Sequence, residues 1–104
     1  MKQYRVIVTP EGQAGIRESF MYIKERSPLN AARWLKQLYS EIDTLERFPE
    51  RCPHAREREY LEESLRQHVF KSHRLIFQIN EESDTVYVLY VRHASRRAVG
   101  EPEE

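Results

Sequence analysis

Cysteine is nearly missing from this chain. Cys52 stands alone, which excludes an internal disulfide, and Cys52-Pro53-His54 offers too few ligands for a zinc site. Net charge is missing too: seventeen Lys and Arg balance seventeen Asp and Glu, so nothing pulls the whole molecule toward nucleic acid or an anionic membrane. No apolar run approaches the roughly 20 residues of a membrane span, and the N-terminus, with Lys2 and Arg5, has no apolar signal core. A cytoplasmic protein without cofactor or metal is the expectation. Internal repeats and low-complexity tracts are absent as well, and 104 residues suffice for one domain with one modest core.

What is present is a pair of strand-like runs, His73-Arg74-Leu75-Ile76-Phe77-Gln78-Ile79-Asn80 and Val86-Tyr87-Val88-Leu89-Tyr90-Val91-Arg92-His93, separated by the polar break Glu81 to Thr85. Their β-branched and aromatic residues predict an antiparallel hairpin. With residue 78 opposite 87, residue 76 meets 89 and 74 meets 91. One face then carries Leu75, Phe77, Ile79, Val86, Val88 and Tyr90, all apolar; the other carries Arg74, Ile76, Gln78, Tyr87, Leu89, Val91 and His93. A slip of one residue mixes the two sets, which favours this register. The first face needs a cover, and the second, with Arg74 and His93 at the end remote from the turn, is expected to stay open to a partner.

Upstream, Tyr4 to Val8 alternates like a partly covered strand. Thr9-Pro10-Glu11 predicts a capped helix start, and the helix should run to Arg26 with Ile16, Phe20 and Ile23 on one stripe. Gly12 and Gly15 should weaken it by about 1 kcal/mol each relative to Ala. Ser27-Pro28 ends this helix and opens another by the same device. Ala31, Leu35, Leu38, Ile42 and Leu45 form its stripe, with Trp34 read as core, and Phe48-Pro49 stops it after about Arg47. Helices joined this tightly fold back on each other and lay their stripes on the apolar sheet face.

Residues 49–63 contain two prolines and a dense mixture of charge, and read as a surface loop with one turn near Ala55 to Tyr60 and a solvated Glu-rich run. Ser64 to Phe70 predicts a further strand. A two-residue turn at Lys71-Ser72 puts Arg66, His68 and Phe70 on the face opposite Arg74; one bulged residue reverses that, and both arrangements stay open. The expected fold class is α+β: an N-terminal strand, an antiparallel helical hairpin, then three antiparallel strands, with the helices on one face of a small, mainly antiparallel sheet. The domain should span residues 1–98, with residues 99–104 a flexible acidic tail.

This order, with Ser27-Pro28 opening the second helix, Leu45-Glu46-Arg47-Phe48-Pro49 closing it, Leu65-Arg66 before His73-Arg74-Leu75-Ile76-Phe77, and Val91-Arg92-His93-Ala94-Ser95-Arg96-Arg97 at the end, resembles the RelE/ParE superfamily of type II toxins over residues 4–97. The resemblance implies a growth-inhibiting toxin of the plasmid-stabilisation kind, neutralised by a cognate antitoxin whose partly disordered segment orders on binding. RelE-like relatives cut messenger RNA on the ribosome; ParE-like relatives poison DNA gyrase without a cleavage reaction of their own.

For RNA cleavage, His93 would serve as acid or base while Arg74 and Arg66 counter phosphate charge, and Arg92, Arg96, Arg97 and Lys71 would track the backbone. Ribosome-acting relatives tend to be strongly basic, with an extra arginine near the place His68 occupies. Here residues 64–100 hold six Lys and Arg against three acidic residues, and the rest of the chain adds no positive excess. With the Leu-Glu-Arg-Phe-Pro ending, this favours the ParE-like side. Target or antitoxin contacts are then expected at Arg74, Tyr87, Arg92, His93, Arg96, Arg97, Lys71 and His68. Plainer roles stand beside these: His93 as a solvated strand end, Arg74 in a salt bridge to a loop carboxylate such as Glu59 or Glu62, and Arg92, Arg96 and Arg97 as a solvated edge. A chain that only binds an antitoxin and co-represses its operon, without toxicity, is the remaining alternative, motivated by the half-apolar sheet face.

Overall fold

The computed structural model describes residues 2–102. Strand β1 (Arg5–Val8) leads into helix α1 (Pro10–Arg26), with Pro10 at the first helical position and the Thr9 hydroxyl accepting the Gly12 N–H at 3.1 Å. One residue then serves two helices. Ser27 donates its N–H to the Ile23 carbonyl, ending α1, while its Oγ accepts the Asn30 N–H at 3.2 Å to start α2 (Pro28–Asp43). The last turn before Arg47 tightens into a 3-10 turn, Thr44–Glu46, which still buries Leu45. Phe48 follows in the left-handed region at φ 48°, and Arg51 donates to the carbonyls of Arg47 and Phe48 that the ended helix leaves open.

Strands β2 (Arg66–Phe70), β3 (His73–Asn80) and β4 (Thr85–His93) complete a sheet of order β1-β4-β3-β2, in which β1 runs parallel to β4 and the other neighbours are antiparallel. Both helices lie on one face. Ile16 of α1 and Trp34, Leu38 and Ile42 of α2 pack with Leu75, Phe77, Val86, Val88 and Val91 into one core. Each such side chain contributes roughly 1.5–3 kcal/mol by burial. The expected α+β layering is the observed one. No helix among the described residues is long and apolar enough to cross a membrane.

The two glycines of α1 have a packing role that their propensity conceals. A Cβ at Gly12 would stand 2.7 Å from the Val88 carbonyl oxygen, and one at Gly15 would overlap the Val91 carbonyl. The helix backbone therefore rests directly on β4, an approach that only glycine permits.

The hairpin register is the expected one from the turn as far as Phe77 opposite Val88, then shifts. Ile76 pairs with Tyr90, Leu75 with Val91, Arg74 with Arg92 and His73 with His93, so Leu89 is an extra residue in β4. The expected pairs 76 with 89 and 74 with 91 are thus corrected. Thr9 holds the bulge: its N–H donates to the Val88 carbonyl, and its hydroxyl lies 3.1 Å from that oxygen and 3.2 Å from the Leu89 carbonyl oxygen. The shift exchanges Tyr90 for Val91 beneath Gly15, where α1 leaves space for a valine. It also sends Arg74 and His93 to opposite faces. The expectation that they share one open face is overturned.

That outer face is also not left bare. Residues 53–55 lie against the start of β2, with the Gln67 N–H donating to the Pro53 carbonyl and the Ala55 N–H to that of Leu65. Ala55, Leu65 and Ile76 form a second buried cluster with Leu89, Tyr90 and Val99 packed on it. The stretch expected to be a solvated Glu-rich loop thus covers the sheet, and its Glu57 is fully buried. Packing continues past residue 98: the Val99 N–H is bonded, and a Cβ on Gly100 (φ 87°) would press on Leu61. Glu103 and Glu104 lie outside the described residues.

Candidate functional site

At the end of the sheet remote from the β3–β4 turn, α1 and α2 diverge from the strands and leave a cleft of about 610 Å³. Its buried lining includes Trp34, His73 and Val91; its exposed lining includes Tyr22, Lys71, His93 and Arg96. The two imidazoles meet because His73 and His93 are direct cross-strand partners beyond the bulge. Their rings lie edge to face with centroids 5.4 Å apart, and His73 also meets the Trp34 ring at 5.0 Å.

The histidines differ in chemistry. His73 Nε2 lies 3.0 Å from Ser19 Oγ, and burial, followed by the neighbouring His93, holds its pKa below the usual imidazole value, so it is neutral at pH 7. Neither His73 Nδ1 nor Trp34 Nε1 has a hydrogen-bond partner among the described residues. His93 is exposed, and the Ser95 N–H donates to its Nδ1 at 3.1 Å, which assigns the proton of the neutral ring to Nε2. Lys71 reaches the Gln37 carboxamide, and Arg96 lies 3.4 Å from Glu18 across the mouth of the cleft. The cleft therefore joins an apolar, aromatic interior to a rim with more positive than negative groups.

Arg74 stands on the other side of the sheet. It is 3% exposed, and its guanidinium donates to both oxygens of Glu57 at 2.8 and 2.9 Å and to Gln67 Oε1 at 3.0 Å. Burial pushes the Glu57 carboxyl up, but Arg74 and the Val99 N–H, 2.8 Å from Oε2, together bring it below the ordinary carboxylate range. A salt bridge to a loop carboxylate was among the expected roles of Arg74; the partner is Glu57, in place of Glu59 or Glu62.

The remaining expected site residues scatter. The turn at Lys71-Ser72 has two residues, with Val69 opposite Arg74, which puts Arg66 and His68 on the helix side. There Arg66 donates to the Cys52 carbonyl at 2.6 Å, and His68 bridges Glu41 at 2.9 Å and Cys52 Sγ at 3.9 Å. Tyr87 is half-buried opposite Gln78 on the outer face, Arg92 is half-buried opposite Arg74, and Arg97 is exposed. The structure thus brings His93, Lys71 and Arg96 together at the cleft and leaves Arg74, Arg66, His68 and Tyr87 elsewhere. Sequence reasoning missed His73 and Glu57. The first had a signal, since pairing 73 with 93 is the register one bulge away; the second sits in an aperiodic run of charge and had none.

The sequence profile of the ParE toxin of the type II toxin-antitoxin system parDE matches residues 6–98. The chain belongs to the ParE toxin family. Solved structures agree on the fold of this ParE-family chain. It is similar to a chain of the P. aeruginosa chromosomal ParDE system, with a TM-score of 0.71 at 11% identity, covering 89% of this chain and 98% of that one. A chain of the Mycobacterium tuberculosis RelBE2 toxin-antitoxin complex gives a TM-score of 0.66 at 22% identity, covering 91% and 97%. The archaeal RelE-RelB complex from Pyrococcus horikoshii OT3 gives 0.50 at 11% identity, covering 91% and 99%. No curated protein sequence matches. In this ParE-family toxin the cleft offers one exposed imidazole with its proton on Nε2 and a basic rim, while the arginine expected beside that imidazole is committed to Glu57.

Proposed function

We propose that this chain is the toxin of a type II toxin-antitoxin pair that arrests growth by acting on DNA gyrase and is neutralised by a cognate antitoxin. Membership of the ParE family supports the toxin role, and the ParDE, RelBE2 and RelE-RelB structures it resembles support an antitoxin partner. The observation that carries the gyrase reading is the separation of the groups an RNase needs. Cleavage by attack of a 2'-hydroxyl requires an acid or base and cations on the same phosphate. His93 lies at the cleft, Arg74 is sealed against Glu57 behind the sheet, and Arg66 is spent on backbone carbonyls.

One observation favours the ribosome-dependent RNase instead. Lys71 and Arg96 share the cleft with His93, whose Nε2 proton is set by Ser95, and together they form a smaller acid-and-cation set. Induced expression followed by two assays on purified protein separates the readings. Growth arrest with loss of gyrase supercoiling and intact transcripts is expected. Ribosome-dependent transcript cuts with unaffected gyrase would overturn the gyrase reading, and unimpaired growth would leave only antitoxin binding.

A further inference from the structure

The segment after β4 has no ladder to hold it. Residues 94–102 form neither helix nor strand, yet they carry Arg96 to the mouth of the cleft and bury Ala98. What fixes them is the 3-10 turn Arg56–Glu59 on the far side of the sheet. Arg56 donates to the Arg96 carbonyl at 3.3 Å, and Glu57 Oε2 accepts the Val99 N–H at 2.8 Å. That same oxygen accepts from Arg74 of β3 at 2.9 Å. A single carboxylate thus ties the arm to the sheet.

From this geometry we infer that Glu57 is a positioning residue for the cleft: through Val99 it sets where the C-terminal arm presents Arg96 to an anionic group of the bound partner. This rests on the reading of the cleft as the contact site. A buried ion pair is a poor device for stability alone, since apolar residues of similar volume serve as well or better. An apolar pair at 57 and 74 would close the outer face but give the Val99 amide no acceptor. Arg96 meets Glu18 only at 3.4 Å between two exposed side chains, so an incoming anion displaces that contact easily. The arm without its tie would carry the same charge with no fixed place.

Two variants test this. Glu57→Gln keeps the shape but removes the charge and leaves one acceptor oxygen for Arg74 and Val99 to share. A chain ending at Ala98 removes Val99 and leaves the Glu57–Arg74 pair intact. Amide hydrogen exchange on Glu57→Gln should show Val99 exchanging about tenfold faster or more, as loss of a bond to a charged acceptor implies, with the amides of β3 and β4 unchanged. Both variants should need at least about tenfold more protein to arrest growth and to inhibit gyrase. Where Glu57→Gln does not fold, the shortened chain decides. A folded shortened chain that inhibits at the wild-type dose overturns the inference, as does unchanged Val99 protection in Glu57→Gln. A wild-type protein without effect on growth refutes the toxin reading instead, and Val99 exchange then still judges the tie.

Discussion

Two sides of the same few residues of sheet behave as opposites. On the helix side His73 and His93 face each other at an open cleft; on the outer side Arg74 and Arg92, their immediate neighbours in sequence, lie under the chain's own loop and arm. Side-chain parity alone decides which group falls where, and one extra residue, Leu89, reverses it for everything beyond the bulge. The charge that looked available to a partner is neutralised at home by Glu57. The imidazole that looked like its companion stands alone at the cleft.

The sharpest way to break this contrast is Arg74→Ala, which strands a buried carboxylate. It should destabilise the protein by about 3–5 kcal/mol in urea titration, whereas Arg74→Met combined with Glu57→Leu should recover most of that. A stable Arg74→Ala would mean that the outer side is open after all. Next comes the helix side. Gly15→Ala would stabilise an ordinary helix by about 1 kcal/mol; here it should cost roughly 1–3 kcal/mol, because the new methyl meets the Val91 carbonyl. Thr9→Val removes both the α1 cap and the clamp on the bulge, and a loss of about 1 kcal/mol is expected.

The smallest effects are in pH, and the two sides respond in different windows. His73 has its folded pKa lowered by burial and by His93, so the unfolded chain takes the proton first. Stability should begin to fall as pH drops below about 6.5, and His73→Gln should flatten that slope. Glu57 has its folded pKa depressed by Arg74 and Val99 against the opposing effect of burial. Its contribution is complete above the ordinary carboxylate value of about 4.3 and is lost as pH falls through the folded value. A single shared window in equilibrium unfolding from pH 8 to 3 would contradict the division.

Most of the scaffold was legible because its signals are local. Thr9-Pro10 and Ser27-Pro28 mark helix starts within a few residues, and the spacing of Ala31, Leu35, Leu38 and Ile42 specifies the buried stripe of α2. Alternation also gave the register near the turn. The bulge was not legible, since Leu89, Tyr90 and Val91 are all good strand residues and what selects among them is Thr9 and Gly15, far along the chain. Read together with β4, those glycines would have hinted at a valine beneath α1. Glu57 could not be singled out among neighbouring charges, because a bidentate pair across the sheet leaves no periodic trace.

The division of the sheet rests on which groups surround Arg74, and nuclear Overhauser contacts on isotope-labelled protein read this directly. Contacts from the Arg74 guanidinium to Glu57 and Val99, together with contacts between the His73 and His93 rings, are the predicted result. Contacts between Arg74 and the His93 ring would contradict it.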